Sequence, residues 1–194
     1  MIKVNVFPDE TLNRVFELLD RCQDITQMPI HHPEGNVLVH SLQVFRYAVR
    51  ETNDVDLALA ALVHDVGKCE RSKGHESIGC ELLEGFVSVK VLFLIKNHMR
   101  IWSYVKGEMK KLSKCRWLSN HPWVPQLIQL ARWDHKGRNQ NMKVTYDKEK
   151  IIERLNNVAE KHFYIPEHLR NYEGCFGLKE GEKNETSTFT RTVE

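Results

Sequence analysis

Apolar residues recur at intervals of three and four along most of this chain, the period of a helix with one buried face. Over residues 9–20 the stripe is Leu12, Val15, Phe16 and Leu19, with Asp9 and Glu10 in the first turn, where acids favour a helix start. A loop over 21–35 holds Met28-Pro29 and His31-His32-Pro33-Glu34-Gly35. Asn36 is a good N-cap for a helix over 37–52 with Leu38, Leu42, Phe45 and Val49 as its stripe. Asn53-Asp54 caps a helix over 55–67, apolar nearly all round and therefore central, which Gly67 ends. After the polar Lys73-Gly74, residues 75–86 read as a helix with Ile78, Leu82 and Leu83 inward. Gly79, one turn after His75, permits close backbone approach. Ser88 caps a strongly apolar helix ending at Asn97-His98, and residues 99–120 are less regular. Pro122 suits the first turn of a helix through Leu127, Ile128, Leu130 and Ala131 to Asp134. Asp147 caps a last helix over 147–162, with Ile151, Ile152, Leu155 and Val158 inward. No strand pair stands out, so the expected class is all-α. The expected organisation is one helical domain over 1–175, then a disordered tail over 176–194 with almost nothing to bury.

Composition changes this picture little. A chain of 194 residues is long enough for one domain with a proper core. Lys plus Arg number 28 against 26 Asp plus Glu, a balance that does not announce a polybasic binder. No apolar run would span a bilayer and residues 1–20 lack a signal-peptide pattern, so a soluble, cytoplasmic protein with no membrane partner is expected. The five cysteines (22, 69, 80, 115 and 175) are odd in number and form no Cys-x-x-Cys, which argues against a disulfide framework or zinc knuckle.

The chemistry gathers where the apolar run Leu57–Val63 delivers His64-Asp65 just ahead of Gly67. Two polar groups at the edge of a core are costly unless paired, hydrogen-bonded or bound to a metal. Other candidate ligands, His40, His75, His98 and Asp134, each fall at a helix end or on an inner face. Mixed imidazole and carboxylate ligands suit Mn, Fe, Co, Ni or Zn rather than Ca, with Mg possible. Neighbours on a helix point about 100° apart, so His64 and Asp65 share an ion only over the groove between them. His40 and Asp134 are the natural suppliers of its remaining ligands. His75 and His98 could then hold a second ion, with Asp65 bridging, so one or two ions are expected. A two-metal centre activates water on one side and binds phosphate oxygens on the other. Any single His is ordinarily a hydrogen-bonded core or surface residue; the ordered combination carries the weight.

That combination, His40, His64-Asp65 and Asp134, resembles the HD-domain metal-dependent phosphohydrolase superfamily. The surrounding wording is similar to the HD domain of bacterial CCA-adding tRNA nucleotidyltransferases. The similar stretches are His32–Ser41, Ala60–Lys68, Gly74–Gly79, Asn97–Met99 and Leu130–Arg138. The resemblance covers about residues 28–140 and implies an HD helical bundle with the hydrolytic half of that chemistry. The implied activities are phosphatase, 2′-nucleotidase or 2′,3′-cyclic phosphodiesterase, on nucleotides or RNA-end phosphates. No nucleotidyltransferase domain precedes the motif, so CCA addition by the chain itself is not expected.

Around the ligands, Lys68 is a candidate to neutralise phosphate or protonate a leaving oxygen, or is simply a helix-end cation. Glu34 either fixes a ligand His and orients water or is a plain loop acid. Arg132 and Arg138 either clamp phosphate or are surface charges. His31, His32 and His135 read as supporting or solvent-facing. The basic segment 96–116 is interleaved with Trp102, Tyr104 and Trp117; it reads as a substrate rim or lid, or as outer packing. Two rival functions remain: a dNMP or dNTP phosphohydrolase, and a metal-stabilised nucleotide- or RNA-binding module without turnover. Oligomeric state is left open.

Overall fold

The computed structural model describes residues 5–162, with the side chains of 161 and 162 excepted. Among the described residues are nine α-helices: α1 Asp9–Arg21, α2 Val37–Glu51, α3 Val55–Val63, α4 His75–Leu83, α5 Val89–Asn97, α6 Arg100–Val105, α7 Leu112–Ser119, α8 Val124–Lys136 and α9 Lys148–His162. A 3-10 helix, Val66–Cys69, lies between α3 and α4. The class is all-α, as expected. The domain end expected at 175 and the tail over 176–194 lie outside the described residues.

Helix starts follow local side-chain chemistry. Asn36 Oδ1 accepts from the Val39 N–H at 3.1 Å, Asp54 from Leu57 at 3.2 Å, and Ser88 Oγ from Val91 at 3.2 Å. Asp147 accepts from the Lys150 N–H at 3.1 Å. Each bond satisfies a donor that a helix N-terminus otherwise leaves unpaired.

α3 is the axis of the bundle. Every residue from Leu57 to Val63 is at most 3% exposed, as an apolar surface on all sides requires. α2, α5, α8 and α9 pack around it, and α4 packs on α5 and on the 3-10 turn. Trp133 of α8 is fully buried and its indole N–H donates to Glu51 at the end of α2, 2.8 Å away. Burying the ring while satisfying its N–H joins those two helices.

The structure corrects four boundaries. The helix expected over 55–67 ends at Val63, and Asp65 (φ −105°, ψ 3°) begins the 3-10 turn. A continued α-helix would engage the Ala61 carbonyl with the backbone; here it accepts from His64 Nδ1 at 3.0 Å instead. The helix expected over 75–86 ends at Leu83, just before Gly85 at φ +83°. Residues 99–120 contain α6 and α7, separated at Gly107, whose φ of +70° suits glycine. α8 starts at Val124 with Pro125, not Pro122, in its first turn, because Trp123 takes the cap position.

The loop before α2 folds back on itself through a Thr26–Asn36 antiparallel bridge, with Gln27 N–H to Gly35 O at 2.9 Å. That fold-back is what brings Gln27, His32 and Glu34 to the site. No helix among the described residues is long and apolar enough to cross a membrane. Cys22, Cys69, Cys80 and Cys115 are free thiols.

Candidate metal centre

Five elements deliver the expected ligands to one buried place. α2 supplies His40, His64 and Asp65 directly follow α3, α4 begins with His75, His98 caps the end of α5, and α8 carries Asp134. All six are at most 5% exposed. Three of the imidazoles are oriented by one device: Nδ1 faces the carbonyl three residues back. His64 reaches Ala61 O at 3.0 Å, His75 Ser72 O at 2.8 Å, and His98 Ile95 O at 2.7 Å. A carbonyl only accepts, so Nδ1 carries the proton and the Nε2 lone pair faces the centre.

Those Nε2 atoms and the two carboxylates form a cluster of acceptors. Around Asp65 Oδ2 are His64 Nε2 at 3.6 Å and His40 Nε2 at 3.8 Å, and His40 Nε2 is 3.1 Å from Asp134 Oδ1. Around Asp65 Oδ1 are His75 Nε2 at 3.0 Å and His98 Nε2 at 3.6 Å, themselves 3.1 Å apart. Ligand bonds of about 2.1 Å would put neighbouring donors roughly 3.0 Å apart in an octahedron and 3.4 Å in a tetrahedron. The observed edges suit such a cage. His64 Nε2 is also buried without any hydrogen-bond partner, an expense that a cation at this position removes. The donor set therefore fits one or two divalent transition ions, with Asp65 offering one oxygen to each group.

Electrostatics point the same way. Burial opposes ionisation of Asp65, but the surrounding imidazoles, His64 first, and the Lys68 ammonium hold its carboxyl well below the usual range. Asp134 is likewise held low against burial, by His40, His64 and Arg138. Burial pushes the His64 imidazole down to about 3, leaving it neutral as a ligand must be. His40 differs: Asp134, Glu34 and Asp65 outweigh burial and raise it to about 9, so it must give up a proton to act as a ligand.

The supporting residues divide. Lys68 Nζ donates to Asp65 Oδ2 at 2.6 Å and to Gln27 Oε1 at 2.7 Å. The Glu34 side chain is buried: His32 Nδ1 donates to its Oε1 at 2.8 Å, and His40 Nδ1 lies 2.8 Å from the same oxygen, off the line of a hydrogen bond. Burial works against the Glu34 charge, yet these two imidazoles hold its pKa at about 2. Arg138 donates to both Asp134 oxygens, at 3.2 and 3.4 Å, and its Nε is buried without a partner. Arg132 belongs elsewhere. Two residues before Asp134 on the same helix it points to the other side, where it is exposed and bonds Gln129 at 3.5 Å. His31 and His135 are exposed, as expected.

Gln27 is a contact that sequence reasoning missed, since a loop glutamine has no spacing signal linking it to Lys68. The basic, aromatic segment turns out mixed. Trp102 is partly buried and meets His135 edge-on, whereas Trp117 is 49% exposed beside Arg100, Ser113 and Lys114 in a small cleft.

Residues 37–117 match the family model described as the HD domain. Asp134 lies beyond that span and joins the centre through α8. Several curated relatives share one name, Multifunctional CCA protein. Over 75 residues the chain is 39% identical to that of Methylococcus capsulatus, covering 35% of this chain and 18% of the relative. It is 32% identical over 123 residues to that of Methylobacillus flagellatus, covering 55% and 29%. It is 29% identical over 147 residues to that of Acinetobacter baumannii, covering 66% and 36%. The chain thus spans about a fifth to a third of the length of these relatives.

Proposed function

We propose that this chain, whose residues 37–117 match the HD-domain model, is a metal-dependent phosphohydrolase acting on nucleotides or RNA-derived phosphates. The reaction class is that of a 2′,3′-cyclic phosphodiesterase, 2′-nucleotidase or phosphatase. The observation that carries this is the convergence of oriented Nε2 lone pairs and two buried carboxylates with no proton donor placed for His64. His40, His64, Asp65 and Asp134 would hold one ion, and Asp65, His75 and His98 a second. Bound there, a divalent cation supplies Lewis acidity toward water and toward phosphoryl oxygens. The relatives' shared name, with its CCA triplet, favours a nucleotide or RNA-end substrate over other phosphate esters.

The protein's own groups do the rest. Asp65 joins the two ligand groups because each of its oxygens faces a different set of imidazoles. Lys68, only 11% exposed and anchored by Gln27, brings a positive charge to the rim, where it offsets phosphate charge and can pass a proton to a leaving oxygen. The unpaired Arg138 Nε is a further donor for a phosphoryl oxygen. Glu34 is a positioning residue: it holds His40 from behind.

The test is turnover by purified protein with Mn²⁺, Ni²⁺ or Mg²⁺ on a panel of 2′,3′-cyclic nucleotides, 2′-, 3′- and 5′-monophosphates and dNTPs. Hydrolysis of cyclic or 2′-phosphates that Asp65→Ala abolishes is the expected result. Failure to hydrolyse any member with metal demonstrably bound would overturn the enzymatic reading, as would an active Asp65→Ala protein.

A further inference from the structure

A second cavity, of about 540 Å³, opens between α2, the segment Lys143–Thr145 and the start of α9. It shares α2 with the metal centre but not its face. Val49 follows His40 by nine residues, which at about 100° per residue puts it on the opposite side of the helix. The α2 wall is Leu42, Phe45, Arg46, Val49 and Arg50, and the α9 wall is Lys150, Ile151 and Arg154. Both follow the three- and four-residue spacing of a single helix face. Phe45 and Ile151 are buried beneath it, so the floor is apolar.

Its charge is one-sided. Five cationic side chains, Arg46, Arg50, Lys143, Lys150 and Arg154, surround it, with Asp147 as the one acid in the lining. Asp147 is already engaged by Lys150 at 2.9 Å, and Arg46 donates to the Lys143 carbonyl at 3.4 Å. Arg50, Lys143 and Arg154 have no ion-pair partner among the described residues. Like charges gathered around a concave, partly apolar surface repel one another and focus a positive potential into it. A dianionic ligand relieves that repulsion, and guanidinium groups match phosphate bidentately. The volume lies within the range of small-molecule pockets, roughly 300–1,000 Å³.

We propose that this cavity is a nucleotide site separate from the metal centre, with the phosphate held by Arg50, Lys143 and Arg154. The base rests on the partly exposed Val49 and Val144, above the buried Phe45 and Ile151. A bound nucleotide ties α9 to α2.

The probe is 5′-AMP, titrated into the full chain while backbone amide resonances are followed by NMR. Saturable shifts at Val144, Thr145 and Ile151 are expected, with a gain in Tm, because a ligand that binds only the folded state stabilises it. Arg50→Gln/Arg154→Gln should weaken those shifts at least tenfold. Lys106→Gln/Lys110→Gln, which removes equal charge from another exposed stretch, should leave them unchanged. Shifts confined to residues around His64 would overturn the proposal, and so would equal AMP affinity in both double variants. A single-stranded RNA hexamer that perturbs these amides when AMP does not would also overturn the nucleotide assignment. The amide readout is independent of turnover, so it stands or falls apart from the hydrolase reading.

Discussion

Gly67 seats the start of α4, and with it His75, against the candidate metal centre without offering a ligand itself. A Cβ added there would lie 2.1 Å from the His75 carbonyl oxygen, 2.6 Å from the Gly79 nitrogen and 2.9 Å from the His75 carbonyl carbon. All three are backbone atoms, so no side chain can swing aside. Opening the first contact to the 3.4 Å of ordinary packing moves the start of α4 by more than an ångström. His75 opens that helix, and its Nε2 now sits 3.0 Å from Asp65 Oδ1 and 3.1 Å from His98 Nε2. Metal–ligand distances tolerate only about 0.2 Å.

Gly67→Ala should therefore do two things together. Overpacking a rigid contact costs typically 1–3 kcal/mol, and a backbone neighbour places this case at about 3 kcal/mol. At roughly 2–4 °C per kcal/mol for a protein of this size, Tm falls by about 6–12 °C. Metal content measured on the surviving folded protein should drop through loss of the His75–His98 group. Gly79→Ala is the internal control. Its Cβ would meet Ile95 Cγ2 at 3.3 Å, a side chain that can yield, while alanine regains up to about 1 kcal/mol of helix propensity. Its stability should stay within about 1 kcal/mol of the parent. A Gly67→Ala protein melting within 2 °C of the parent, or a Gly79→Ala protein that is the worse of the two, would refute this account of how α4 is seated.

Two other expectations are open to measurement. Lys68→Met removes the ammonium 2.6 Å from Asp65, leaving a buried carboxylate less compensated; metal-free protein should lose about 1–3 kcal/mol by urea unfolding, and saturating Mn²⁺ should restore most of it. An unchanged urea midpoint in the metal-free state would rule that coupling out. At alkaline pH, burial raises the Cys22 thiol to about 12, and burial with the Asp20 hydrogen bond raises the Tyr146 hydroxyl too. Both folded values exceed the unfolded ones, so this stability is complete below about pH 9 and drains away as pH climbs toward 12. The slope from one thiol is at most about 1.4 kcal/mol per pH unit, and Cys22→Ala should flatten its share of the decline in a denaturant titration run from pH 7 to 11.

What sequence could and could not disclose follows from the range over which each interaction acts. Helix starts were legible because capping is local: Asn36, Asp54, Ser88 and Asp147 each bond a backbone donor three residues on. The burial of α3 was legible because seven consecutive apolar residues leave no polar face. The candidate ligands were legible as residue types in order, and the structure brings all six of them together. The breaks were harder. That the helix stops at Val63 has no spacing signal, and the Ala61 carbonyl there accepts from a His64 ring nitrogen whose orientation depends on the other helices. Arg132 and Arg138 looked equivalent as neighbours of Asp134, yet Arg132, two residues back on α8, faces away, while Arg138 lies just past the end of α8 with its guanidinium on the Asp134 carboxylate. Glu34 is the sharpest case. In sequence it is one acid in a polar loop, with no apolar pattern to mark it as buried. Only after the Thr26–Asn36 bridge folds that loop over α2 does its carboxylate meet His32 and His40. The candidate ligands were encoded by local pattern; the groups that hold them in place are encoded by loop closure, which periodicity does not reach.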